Sequence, residues 1–127
     1  MTATYALVLH GGAGVLADHG YPEQIVHMLD TVTEIIRQLE ASGLYVAGKG
    51  ASPNKAGRYE LDAAIMTGID RKAGAVAALT GFVSPVLAAR AGMECTPHVM
   101  LAGRGADAFA MQQNLVRIDS VNDYYTP

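Results

Sequence analysis

Residues able to do chemistry are sparse in this chain, and they lie far apart. His10, Gly11 and Gly12 follow the apolar run Leu7-Val8-Leu9. Glycines at a strand exit let backbone N–H groups point at a developing negative charge without side-chain obstruction, which is the chemistry of an oxyanion hole. That reading requires a nucleophile downstream, and no Gly-x-Ser-x-Gly elbow and no His-Glu-x-x-His occurs. The same residues read equally as a tight strand exit. A phosphate loop fails as well, because Gly50 follows Lys49 where a hydroxyl residue is required. His10, His19, His27 and His98 lack metal-ligand spacing and read as surface or packed histidines.

Two weaker constellations remain. Glu60-Leu61-Asp62 places two carboxylates two residues apart in a strand-like stretch, so both point to one face. Such a pair can divide acid and base roles, or accept structural hydrogen bonds, and the structural role is the one expected. The second is the glycine-punctuated stretch Leu44-Tyr45-Val46-Ala47-Gly48-Lys49-Gly50-Ala51. A loop with many free carbonyls and few charges can hold a hard monovalent cation through oxygen alone, although a plain turn has the same composition.

The elements that must position these residues follow from periodicity. Tyr5 to Leu9 reads as a buried strand. From Pro22, the residues Ile25, Met28, Leu29, Val32, Ile35, Ile36 and Leu39 recur at spacings of three and four. They define the apolar face of a helix that Gly43 should end. Asp30, Thr33, Glu34, Arg37, Gln38 and Glu40 fall mostly on its polar side. Burying that stripe contributes about 10–20 kcal/mol. Ordering the helix costs as much, so it is expected to lie on a sheet.

Tyr59–Met66 and Ala73–Leu79 read as a hairpin about Gly68–Lys72. Ser84-Pro85 suits an N-cap and first turn of a helix running to about Glu94, presenting Val86, Leu87, Ala91 and Met93. His98–Leu101 is a further strand and Ala106–Gln113 a last helix. Beyond Leu115 the pattern gives way to a polar, linker-like tail over about 115–127. Strands flanked by helices indicate an α+β or layered fold.

Composition sets bounds. A length of 127 residues is about one domain. The apolar residues are mostly small and Trp is absent, so packing against something else is expected to stabilise the chain. A net charge of −3 with scattered basic residues argues against nucleic acid as partner. The single cysteine, Cys95, excludes an internal disulfide. No charged leader precedes the first apolar run, and no run approaches the ~18 residues of a membrane span. No membrane partner is expected, and the expected location is the cytoplasm.

Several separated segments, in order, resemble the isoaspartyl peptidase/L-asparaginase family. They are His10-Gly11-Gly12-Ala13-Gly14, Ala47-Gly48-Lys49-Gly50-Ala51, and Glu60-Leu61-Asp62-Ala63-Ala64-Ile65-Met66-Thr67-Gly68. Ala73-Gly74-Ala75-Val76-Ala77, Pro85 with Ala89-Arg90 and Met93-Glu94, Thr96-Pro97-His98-Val99-Met100-Leu101, Gly103-Arg104-Gly105-Ala106 and Phe109-Ala110 continue the series. The resemblance implies an α+β, αββα four-layer sandwich of the N-terminal-nucleophile class, with residues 1–127 as its N-terminal α subunit. The nucleophilic threonine would then start a β subunit cut from the same precursor, in an (αβ)2 assembly. Its own α-amino group would serve as base, and the substrates would be L-asparagine or β-aspartyl dipeptides. No cofactor would be needed.

In this chain the resemblance leaves supporting roles. His10, Gly11 and Gly12 would lie near the nucleophile. The carbonyls of Leu39, Glu40, Ser42, Tyr45, Ala47 and Lys49 would wrap a structural sodium ion. Three features depart from the family: Val46 stands where Asn is usual, the stretch from Gly14 to the helix is short, and Gly50-Ala51-Ser52-Pro53-Asn54 is closer to the glycosylasparaginases. A glycosylasparaginase-type subunit and a non-catalytic binding remnant are therefore the alternatives.

Overall fold

A computed structural model describes residues 22–68 and 70–126, with side chains from Met28 onward. The elements in order are α1 (Pro22–Ser42), a 3-10 turn (Gly48–Gly50), β1 (Leu61–Met66), β2 (Ala73–Leu79), α2 (Pro85–Cys95), β3 (Met100–Ala102), α3 (Gly103–Gln112) and α4 (Val121–Tyr124). The expected strand Tyr5–Leu9 lies outside the described residues.

The strands form one sheet in the order β1-β2-β3. β1 and β2 pair antiparallel, as the hairpin spacing implies, and β3 joins β2 in parallel after the chain crosses over through α2. The hairpin register slips. Leu61 faces Leu79 but Ala63 faces Val76, so β2 carries one extra residue. There Ala78 adopts a left-handed φ of 52°. Its N–H donates to Asp62 Oδ1 at 2.8 Å, so a side chain satisfies the donor that the bulge turns away.

Helix α2 lies against β1 and β2, and small residues let it come close. Ala88 and Ala89 are fully buried, and a Cβ on Gly74 of β2 would fall 2.1 Å from the Ala89 carbonyl oxygen. These alanines take the centre of the face, with Val86 and Met93, while Leu87 and Ala91 are only half-buried. Val76, Leu79 and Phe82 fill the core beneath, joined by Ala106 and Ala110 of α3.

Helix α1 ends where expected, at Gly43 with φ 70°. Its packing differs from expectation, because α2 is its principal helix or strand partner among the described residues, rather than the sheet. Thr33 and Glu40, assigned to the polar side, are 4% and 2% exposed, whereas Met28 is 59% exposed. The cause is that α2 offers polar partners. Arg90 donates to Thr33 Oγ1 at 3.1 Å and also pairs with Asp30 and Glu94.

The expected tail packs back on the domain instead of leaving it. Val83 N–H donates to the Val116 carbonyl and Ile118 N–H to that of Gly81, each at 3.0 Å. Ile118 and Tyr125 join Ala51 and Leu61 in a second apolar cluster. The Tyr125 ring stacks on Tyr59 with centroids 3.7 Å apart.

Candidate functional site

The last turn of a helix leaves carbonyl oxygens without intrahelical partners. In α1 these belong to residues 39–42, and the chain then folds back beneath them. Gly48 sits so close that a Cβ there would fall 2.5 Å from the Glu40 carbonyl oxygen. A Cβ on Gly50 would meet the Tyr45 carbonyl oxygen at 2.1 Å and that of Gly43 at 3.0 Å. The two glycines are thus required by close approach, and the carbonyls of Glu40, Gly43 and Tyr45 crowd inward around them.

The oxygens are partly engaged. Leu39 O accepts from the Ser42 hydroxyl at 2.7 Å, Tyr45 O from Ala47 N–H at 2.7 Å, and Ala47 O from Gly50 N–H at 3.1 Å. A carbonyl has two lone pairs, so beside these bonds Tyr45 and Ala47 each keep one for a further partner. Lys49 is different, because its oxygen accepts both Thr126 N–H at 2.9 Å and Thr126 Oγ1 at 3.3 Å. The loop therefore offers neutral oxygen donors of the kind a hard monovalent cation takes, with Lys49 contested by the tail. Among the described residues no cluster of His, Cys, Asp and Glu side chains could hold a metal.

Beneath the loop lies the most buried carboxyl described. Glu40 Oε1 accepts Val86 N–H at 3.0 Å, and Oε2 accepts the Ser84 hydroxyl. Val86 is in the first turn of α2, where donors lack intrahelical acceptors and the helix dipole favours negative charge. Ser84 is the N-cap residue, but its hydroxyl makes no capping bond to its own helix. Glu40 supplies the cap from another element. Burial pushes its carboxyl above the ordinary range, and the bonds from Ser84 and Val86 oppose that shift.

Clefts open on either side of the loop. One, of about 310 Å³, is lined by Tyr45, Val46, Pro53, Tyr59 and Thr126 among others. The other, of about 270 Å³, borders Glu40, Val46, Ser52, Glu60 and Asp62. Val46 belongs to both and is 81% exposed.

The remaining candidates separate. Glu60 accepts from Asn54 Nδ2 at 2.7 Å and pairs with Arg58, while Asp62 serves the β2 bulge, so both are structural acceptors. His98 is exposed, and no described hydroxyl or thiol hydrogen-bonds its ring. His10, Gly11 and Gly12 lie outside the described residues. Sequence reasoning missed the Glu40 carboxyl, Ser84 and Thr126. The available signal was that Glu40 falls four residues after Ile36 and seven after Thr33, on a helical stripe. Nothing in the sequence marks Thr126.

Among the described residues no helix is long and apolar enough to cross a membrane. A family model described as Asparaginase matches residues 23–126. The chain is 38% identical to an isoaspartyl peptidase of Salmonella typhimurium over 95% of its own length and 45% of that protein's. It is 48% identical to an isoaspartyl peptidase of Escherichia coli over 71% of its length and 28% of the relative's. It is 38% identical to a plant-type L-asparaginase of Pyrococcus horikoshii over 83% of its length and 40% of the relative's. The chain thus spans less than half the length of these relatives. The Salmonella alignment runs over 143 positions against a chain of 127 residues, so that relative holds segments this chain lacks. The match extends over most of the described fold, including the carbonyl loop and the crossover, and on this basis the chain belongs to the asparaginase family.

Proposed function

We propose that this chain is the N-terminal, non-nucleophilic subunit of a threonine amidohydrolase acting on L-asparagine, β-aspartyl dipeptides, or both. The observation that carries the reading is the family match through residue 126 alongside relatives bearing those activity names.

In this reading a β subunit from the same precursor completes an αββα four-layer sandwich, and two such pairs form an (αβ)2 assembly. Its first residue, a threonine, supplies both hydroxyl and α-amino group. An amine of pKa near 8 takes the hydroxyl proton near neutral pH, where the hydroxyl alone is a poor nucleophile. The oxygen attacks the β-carbonyl of the scissile amide, the α-amino group returns its proton to the departing ammonia or amino-acid amine, and water then hydrolyses the β-aspartyl ester. The exposed Leu44, Tyr45, Val46 and Met28 fit burial against that second subunit. The enzyme works in the cytoplasm and catalysis needs no cofactor.

The carbonyls of Leu39, Glu40, Ser42, Tyr45 and Ala47 would hold a structural sodium ion, whose charge would offset the mutual repulsion of these oxygens and stiffen the loop. Lys49 would join them only where Thr126 yields its oxygen. Incubating the intact protein separately with L-asparagine and with a β-aspartyl dipeptide tests the activity. Release of aspartate from at least one is expected, and no release from either would overturn the proposal.

A further inference from the structure

The carbonyl loop has to be held in place by something other than its own turns. Its donors come from the last turn of α1 and from the segment folded beneath it, where Gly48 abuts the Glu40 backbone. The Glu40 side chain runs the other way, to the start of α2, where Ser84 and Val86 donate to its two oxygens. Helix α2 is in turn seated on the sheet. One residue therefore touches the loop through its main chain and the rigid layer through its carboxyl.

Arg90 makes further polar ties between α1 and α2, to Asp30 and Thr33. They lie seven to ten residues up the helix from Glu40, roughly 10–15 Å at 1.5 Å per residue. They leave the C-terminal turn of α1 to Glu40. Glu40 is also 2% exposed, so water cannot stand in for Ser84 and Val86 if the carboxyl is lost.

We infer that Glu40 is a positioning residue whose carboxylate, clamped by Ser84 and Val86, sets the geometry and hence the cation affinity of the Leu39–Lys49 carbonyl loop. The inference rests on the sodium reading given above and adds the group that tunes it. Partners outside a ligand shell commonly control metal affinity by 10–100-fold through ligand orientation alone.

The test is a sodium titration of thermal stability in the intact protein, with choline chloride holding ionic strength constant. Wild type, Glu40→Gln, Ser84→Ala and Arg90→Ala are compared. Ser84→Ala leaves every loop residue untouched and keeps the measurement decisive if Glu40→Gln does not fold. Glu40→Gln and Ser84→Ala should move the sodium midpoint to about tenfold higher concentration. Arg90→Ala, which cuts the remote ties, should lower the melting temperature with the midpoint unmoved. If Ser84→Ala lowers stability but keeps the wild-type midpoint, Glu40 is only a structural cap and the inference is overturned. A wild type indifferent to sodium overturns it too, and in that case the cation reading itself has failed.

Discussion

At the residue scale, polar side chains compensate backbone that has left its regular path. Asp62 receives the Ala78 N–H at the β2 bulge, and Glu40 receives the Val86 N–H at the start of α2. The first case stores strain, because a residue with a Cβ pays about 1–2 kcal/mol in the left-handed region. Ala78→Gly should therefore stabilise the protein by up to about 1 kcal/mol in a denaturant titration, the strain relief outweighing the entropy of glycine in the unfolded chain. Asp62 and Glu60 were legible as acceptors from their spacing in a strand. The bulge that Asp62 serves was not, since it depends on a register between residues that only the hairpin brings together. Glu40 was hidden by its type: a carboxylate on a helix is ordinarily solvated, and its burial here depends on donors 44 and 46 residues away.

At the scale of elements, period and punctuation placed α1, both hairpin strands and α2 close to their observed limits. What they could not supply was the partner of each face. The apolar count of α1 suggested a sheet, yet Arg90 draws Thr33 and Asp30 toward α2, and the buried stripe rotates accordingly. Likewise the glycines and alanines of β2 and α2 were visible, while the reason for them is the approach of two backbones. Gly74→Ala would drive a Cβ to 2.1 Å from the Ala89 carbonyl oxygen and 2.6 Å from Met93 N. Both contacts are backbone and cannot swing aside. A loss of about 3 kcal/mol is expected in the same titration, against the few tenths that an unconstrained strand glycine would show.

At the scale of the whole molecule, the segment after Leu115 is part of the packing and not a loose connection. Tyr125 is 8% exposed, and its hydroxyl has no partner among the described residues. Burial, with the neighbouring Tyr124 and Tyr59, pushes its pKa from 10.0 up to about 12. Between these values the unfolded chain has released the proton and the folded chain still holds it. Stability should fall as pH rises through that window, and Tyr125→Phe should flatten the fall. The tail had no sequence period because its contacts are isolated aromatic and apolar anchors spread over several loops. The carbonyl loop was equally silent at the level of side chains, since its donors are main-chain atoms; its glycine punctuation marked it only weakly, and resemblance supplied the ligand set.

The central claim is that this chain is the nucleophile-free part of an enzyme whose threonine begins a second chain. Intact mass together with N-terminal sequencing of the purified protein, under denaturing conditions, addresses it most directly. The account predicts two chains, one of them starting with threonine. A single uncleaved chain in an enzymatically active preparation, or a second chain starting with any other residue, would contradict it.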